Sequence, residues 1–283
     1  SGNIDVLLVI GASLNEITAF SFNEKFFPAD CLIHINIDPA EIGKNYKTEI
    51  PLIGDANTVV NEIGFRVLRY MDNFEPVKKK RIKQIQQLRA KTGDFFNPEK
   101  MVSDSIPIKP QRIIKEIEES LPENSILFAD TGIYLDYVLH YLKWNTPGSF
   151  ICATGLGAKG YGISAAIGGK LAAGKKTVVS ITDNACFLTN GMEISTAVNY
   201  DIPVIWIIQN NVKSSLIDPT RQKSLSHQSQ FSGICSEINF CKIAEGLGVA
   251  GYQISKPGEL KQILPEAISL NKPVVIDCLI DPD

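Results

Sequence analysis

Histidine is scarce in this chain: His34, His140 and His227 are the only three among 283 residues. A histidine-based metal cluster needs several such ligands converging, so that class of site is not expected. The six cysteines (Cys31, Cys152, Cys186, Cys235, Cys241 and Cys278) form no C-x-x-C pair, and most sit inside apolar runs. They read as buried, reduced thiols of a cytoplasmic protein rather than a zinc or disulfide framework. Long hydrophobic runs are also missing. Ile4–Ile10 and Val204–Ile208 are strand-length, far short of the roughly 20 apolar residues a membrane helix needs, and no leader-like pattern stands before the first of them. Neither sign of charge dominates, with 28 basic and 31 acidic side chains and a net charge of −3. Nothing in that balance calls for a nucleic-acid or membrane partner.

What is present is the make-up of an ordinary globular protein, 44% apolar and 21% charged, with length for about two domains. Ser1-Gly2 is followed at once by an apolar run, so the chain reads as cut inside a domain, or as a tag remnant followed by a truncated chain. Ile4–Ile10 and Cys31–Ile37 are continuous apolar runs of the kind that form strands buried on both faces. Gly11 and Asp38-Pro39 end them, and Asn57–Tyr70 has helical periodicity. Together they amount to half of a doubly wound domain. In Pro76–Lys91 a basic run is interleaved with Val77, Ile82, Ile85 and Leu88 near helical spacing. That predicts a solvated amphipathic linker helix rather than a nucleic-acid patch. The loop-like stretch Gly93–Pro110 marks the domain boundary. The expected division is a half-domain over 1–75, a linker helix and loop over 76–107, and a second domain over 108–283.

From Pro110 onward helices and strands alternate. The helices are Pro110–Ser120, Leu135–Leu142, Lys159–Ala173, Phe187–Asn199, Phe240–Leu247 and Pro257–Leu270. Between them lie strands Ser125–Ala129, Ser149–Ala153, Thr177–Thr182, Pro203–Gln209, Val249–Ile254 and Pro273–Ile280, with a polar loop over Asn211–Glu237. Alternation at these lengths predicts an α/β fold, a doubly wound parallel sheet with helices on both faces. Ligands of such sheets bind at the carboxyl ends of the strands. The loops of interest are therefore Asp130–Tyr134, Ala153–Gly160, Asp183–Phe187 and Asn210–Leu216.

Gly155-Leu-Gly157-Ala-Lys-Gly160 formally matches G-x-G-x-x-G, with the acidic Asp183 downstream, a dinucleotide fingerprint. The competing reading is close approach of backbone to another ligand or to a neighbouring helix, continued by Gly162, Gly168 and Gly169. Gly169–Thr177 nearly matches a phosphate-binding P-loop. Lys176 stands where Ser or Thr should follow the lysine, and the segment precedes a strand instead of following one, so it is set aside. Thr182-Asp183-Asn184-Ala185-Cys186-Phe187 ends one strand and Gln209-Asn210-Asn211 another. Their carboxylate and carboxamide oxygens can hold a hard cation such as Mg²⁺ against a diphosphate, with the helix near Phe187 turning its N-terminus to the anion. Equally, Asp183 or Asn184 is simply that helix's N-cap. His227, Asp136 and Glu193 read as solvated or helix-polar groups.

Taken together these segments resemble the thiamine diphosphate enzymes of the acetolactate synthase, pyruvate oxidase and benzoylformate decarboxylase group, over nearly the whole chain. His34–Lys44 and Ile53-Gly-Asp-Ala56 look like the end of the family's middle domain, and Ile108-Lys-Pro-Gln111 like the opening of its diphosphate-binding domain. Ala129-Asp-Thr-Gly132, Gly155-Leu-Gly-Ala158, Ala165-Ala-Ile-Gly168, Asn210-Asn211 and Lys242–Gly248 follow in family order and spacing. The resemblance implies thiamine diphosphate- and Mg²⁺-dependent carboligation or decarboxylation at a 2-oxo acid or related carbonyl, in a homodimer or homotetramer. It also implies that the pyrimidine-binding domain, whose Glu activates the cofactor across a dimer interface, lies outside this stretch. Some members carry a flavin (FAD) through the middle domain, and half of that domain leaves FAD open.

The same resemblance implies cofactor contacts from Asp130, Gly132, Ile133, Tyr134, Gly155, Gly157, Ala158, Lys159, Asp183, Ala185, Cys186, Lys213 and Ser215. The cation would be held by Asn184, Asn211 and the Lys213 carbonyl. The family's metal motif is Gly-Asp-Gly or Gly-Asp-Ala followed by Asn-Asn. In register, Asp183 falls on its first Gly and Asn184 on its Asp, with Asn211 at the family interval (211 − 184 = 27). The chain thus departs from the pattern at Asn184. It departs again at Lys159, where a large apolar residue props the cofactor, at Ile133-Tyr134, often Gln-His, and at Ser215, usually Gly. These departures open a second expectation, a non-catalytic scaffold with a degenerate site. A nicotinamide-dependent dehydrogenase is the third.

Overall fold

In the computed structural model, residues 4–16, 18–19, 22–23, 30–70, 74–153, 155–211 and 238–281 are described, with the backbone alone at Ile133. The chain divides into two compact units, Ser1–Gly93 and Asp94–Asp283.

In the first unit, β1 (Val6–Ile10), β2 (Cys31–Asn36) and β3 (Ile50–Ile53) form a parallel sheet in that order. Helix α1 (Ala56–Leu68) is capped by Asp55, whose Oδ1 accepts the Thr58 N–H at 2.9 Å. Helix α2 (Glu75–Thr92) ends at Gly93, where φ is +72°. Strand β1 corrects an expectation: it reads from sequence as buried on both faces, yet Val6, Leu8 and Ile10, which share one face, are exposed. Strand β3 is not among the expected strands, and Pro51 obscures it in the sequence. It lies at the sheet edge, where a missing N–H is tolerated. Helix α2 is not amphipathic in the sense of burying a face: Val77, Ile82, Ile85 and Leu88 are all exposed. The five-residue step from Val77 to Ile82 already breaks the three-four rhythm of a buried stripe.

The second unit is a six-stranded, wholly parallel sheet in the order β5-β4-β6-β7-β9-β8. Its strands are β4 (Ile126–Ala129), β5 (Phe150–Cys152), β6 (Val178–Asp183), β7 (Ile205–Asn211), β8 (Ala250–Ile254) and β9 (Val274–Ile280). One face packs against α3 (Pro110–Ser120), α4 (Ile133–Tyr141) and α9 (Glu259–Leu270) through residues such as Ile113, Val138 and Leu264. The other face packs against α5 (Tyr161–Ala173), α6 (Asn184–Asn190), α7 (Ile194–Asn199) and α8 (Phe240–Gly246). The period-two rule is visible along β7. Ile205 and Ile207 enter the first core, while Trp206 and Ile208 enter the second. Trp206 is completely buried, and its indole N–H donates to the Ile163 carbonyl at 3.3 Å.

The doubly wound parallel fold expected from the sequence is thus the fold observed. The helix expected over Phe187–Asn199 is instead two, α6 and α7, with a 3₁₀ turn at Gly191–Glu193 between them. At Gly191 an added Cβ would sit 2.7 Å from the Phe187 ring, so the aromatic side chain lies against the backbone where the helix breaks.

Candidate functional site

Strands β4 and β6 are neighbours, yet the chain leaves β4 toward β5 on one side and returns to β6 on the other. A crevice at the carboxyl ends of such a switch point is where open α/β sheets bind ligands. A small cavity there is lined by Asp130, Thr131, Tyr134, Leu135, Val138, Ile181, Thr182 and Asp183.

Asp130, just past β4, is the hub. Its Oδ1 accepts the N–H groups of Thr131 (2.9 Å) and Gly160 (3.0 Å), and its Oδ2 accepts the Thr182 hydroxyl (3.3 Å). Burial pushes this carboxyl above its ordinary value, partly offset by those donors. Through Asp130 the glycine loop is pinned to the sheet. Thr131 reinforces this by donating its hydroxyl to the Gly157 carbonyl at 3.0 Å. Gly157 and Gly160 both take positive φ, +68° and +81°. A Cβ at Gly160 would lie 2.4 Å from that of Asn190, so only glycine lets α5 and α6 meet here. The Asn190 amide in turn donates to the Gly160 carbonyl at 3.2 Å and to the Ser164 hydroxyl at 2.5 Å.

Asp183 ends β6 and caps α6, its Oδ1 accepting the Cys186 N–H at 2.8 Å. Gly132 (φ +120°) brings the loop after β4 so near that an added Cβ would lie 2.8 Å from Asp183 Oδ2. The buried Cys186 thiol donates to the Thr131 carbonyl at 3.1 Å. Burial, and then the charges of Asp183 and Asp130, hold it far above the usual thiol range. Tyr134 is buried beside Asp183, and its phenol is hydrogen-bonded to the Asn211 side chain. Burial and the Asp183 charge push that phenol up.

The structure brings many of the residues named from the sequence close together. Asp130, Gly132, Tyr134, Gly157, Asp183, Asn184, Cys186 and Asn211 cluster by the contacts just given or by the pair described next. Ala185 follows in the first turn of α6 and is half-buried. Gly155, Ala158 and Lys159 lie exposed on the glycine loop. Lys213 and Ser215 lie outside the described residues, as does the Ile133 side chain.

The Asn184 Nδ2 donates to Asn210 Oδ1 at 2.8 Å and approaches the Asn211 carbonyl at 3.5 Å. Its Oδ1 accepts the Asn211 N–H at 3.0 Å. The orientation of Asn210 is dictated from the far side. Its Nδ2 donates to the Ile238 carbonyl at 3.0 Å and to Asp277 Oδ1 at 2.9 Å. Asp277 is completely buried on β9, and its Oδ2 also accepts Phe240 N–H (3.2 Å) and Gln253 Nε2 (3.0 Å). Burial raises this carboxyl too. Asp277, which orients Asn210 at the site, is not among the residues singled out from the sequence. Its signal was the acid inside the apolar run Val274-Val-Ile-Asp-Cys-Leu-Ile280, since a buried charge needs partners.

The glycine loop fits a group that approaches the backbone. A Cβ at Gly155 would meet open space, so packing among the described residues does not demand glycine there. Gln209, in register with Asp183 on the next strand, is completely buried. Neither of its amide atoms has a partner among the described residues, which leaves polar capacity for a ligand or water to satisfy. The divalent cation does not fit. A hard cation seeks anionic oxygen, and Asn184 offers an amide. One end of that amide accepts the Asn211 N–H, and the other end is itself a donor.

Comparison with known proteins gives this geometry its family. Residues 130–278 match "Thiamine pyrophosphate enzyme, C-terminal TPP binding domain", and residues 2–63 match "Thiamine pyrophosphate enzyme, central domain". The "Probable acetolactate synthase large subunit" of Methanocaldococcus jannaschii is 34% identical over 284 residues, covering 98% of this chain and 46% of that protein. The "Acetolactate synthase isozyme 3 large subunit" of Escherichia coli (strain K12) is 30% identical over 284 residues, covering 99% of this chain and 48% of its own length. The chain therefore spans about half the length of these relatives. The switch-point site lies inside the larger matched segment, and the chain belongs to the thiamine pyrophosphate (thiamine diphosphate) enzyme family.

Proposed function

We propose that the chain is the C-terminal part of an acetolactate synthase-like, thiamine diphosphate-dependent protein. It would join or cleave a carbon–carbon bond at a 2-oxo acid or related carbonyl. The observation that carries this reading is the convergence of Asp130, Gly132, Tyr134, Gly157 and Asp183 at the β4/β6 switch point, inside the segment that matches the cofactor-binding domain. When bound, the cofactor supplies the carbanion, and the protein supplies placement and electrostatics. The Gly155–Lys159 backbone would face the pyrimidine, and Asp130–Tyr134 with Asp183–Cys186 the diphosphate. Asp130 holds the first two segments in one frame through Gly160. Lys213 and Ser215 belong to the proposed set. Activity is a property of the full-length protein, proposed to be a cytoplasmic homodimer or homotetramer acting on a small molecule. Among the described residues no helix is long and apolar enough to cross a membrane.

The test is calorimetric titration of thiamine diphosphate into the full-length protein, followed by a 2-oxo acid turnover screen. Saturable binding at micromolar levels, about −8 kcal/mol, supports the reading. No binding up to millimolar levels rejects it. One observation favours a second reading, a non-catalytic member of the family. The Asn184 side-chain amide, expected to hold the cation, is instead hydrogen-bonded at both ends to the backbone of Asn211. The nicotinamide alternative is weakened because the Gly160 N–H is spent on Asp130.

A further inference from the structure

We infer that Asn184 replaces the divalent cation of this site instead of holding one. The inference rests on the proposed placement of the cation at the ends of β6 and β7.

The side chains of Asp277, Asn210 and Asn184 form one chain of hydrogen bonds across three adjacent strands, β9, β7 and β6. Asp277 on β9 accepts from Asn210 on β7. Asn210 accepts from Asn184 at the end of β6. Asn184 accepts from the Asn211 backbone, and the Asn211 side chain reaches Tyr134 on α4. The orientations of the Asn210 and Asn184 amides are fixed. Asp277 Oδ1 and the Ile238 carbonyl are acceptors, so the Asn210 atom facing them is Nδ2. The Asn210 atom facing Asn184 is then Oδ1, and Asn184 must present a donor to it. Turning the Asn184 amide over would set oxygen against oxygen and N–H against N–H. Asn184 therefore keeps its N–H where a metal ligand would need an oxygen. A carboxylate here would stand 2.8 Å from Asn210 Oδ1, with neither a proton nor a cation between them. An amide N–H meets that oxygen with no cation at all.

The experiment is thermal unfolding of the full-length wild type and Asn184→Asp, each in EDTA and in millimolar Mg²⁺, without cofactor. The expected result is a wild type whose melting temperature ignores Mg²⁺. Asn184→Asp melts several degrees lower in EDTA and recovers with Mg²⁺, because the facing acceptors then have a cation between them. A wild type stabilised by Mg²⁺, or an Asn184→Asp variant as stable as wild type in EDTA, overturns the inference. Thiamine diphosphate titration of the wild type, with and without Mg²⁺, separates this from the function reading. Equal affinity in both supports the inference. Binding that requires Mg²⁺ overturns it and leaves the cofactor reading standing. No binding in either rejects the cofactor reading, and the melting series then decides the inference alone.

Discussion

The Asn184 Nδ2 donates to Asn210 Oδ1 at 2.8 Å, and Asn210 is free to accept because Asp277 holds its other end at 2.9 Å. Asn184 and Asp277 share no hydrogen bond, yet each, through Asn210, dictates the chemistry the other must have. Asp277→Asn places an N–H against Asn210 and favours its reversal, which would turn a donor toward position 184. Each of Asn184→Asp and Asp277→Asn should cost about 1–3 kcal/mol. The double variant should be more stable than the sum of the two by about 1 kcal/mol. Denaturant unfolding of the four proteins measures the coupling, and strict additivity would refute it.

A pH dependence follows from the two buried acids. Burial raises the carboxyl values of Asp130 and Asp277, so the folded state binds these protons more tightly than the unfolded chain does. Their contribution to stability is complete below the unfolded value of 3.8 and is lost as pH rises through the raised folded values. Asp277→Asn removes one of the two titrations. The stability of wild type minus that of the variant should therefore shrink as pH rises from 3.8. A difference that grows with pH would contradict the assignment.

Gly160→Ala tests the glycine loop. The residue sits at φ +81°, and the new methyl would lie 2.4 Å from Asn190 Cβ. The loss should be on the order of 2 kcal/mol or more, from left-handed backbone strain and overpacking. Gly155→Ala meets open space and should leave stability within about 0.5 kcal/mol while weakening cofactor binding. Equal effects of the two on stability would argue that Gly155 is held by packing.

The thiols give a chemical check on burial. Cys186, Cys241 and Cys278 are buried, and burial raises all three, Cys241 to about 12. In the native protein they should resist alkylation at neutral pH and react only on unfolding. Mass spectrometric mapping of labelled sites reads this directly. Rapid native labelling of Cys186 would mean the switch point is more open than described.

Much of this was legible in the sequence for a physical reason. Buried parallel strands are continuous apolar runs, and helices between them have their own period, so β6, β7 and β9 stand out unaided. Strand β3 was hidden by Pro51, which only an edge position excuses. The break between α6 and α7 was hidden because it depends on where the Phe187 ring lies. At the site, Asp130, Asp183 and Asn184 were visible as polar residues closing apolar strands. What could not be read was direction. That Asn184 donates and does not ligate is decided by Asp277, 93 positions away (277 − 184), through an intermediate amide. Hydrogen-bond polarity passed through a third residue leaves no periodic trace.

The most direct test of the account is calorimetric titration of thiamine diphosphate into the full-length protein, once in EDTA and once in millimolar Mg²⁺. Saturable binding at micromolar levels with the same affinity in both solutions is the expected result. Affinity that rises tenfold or more with Mg²⁺, about 1.4 kcal/mol, would contradict it and return Asn184 to the role of a metal ligand.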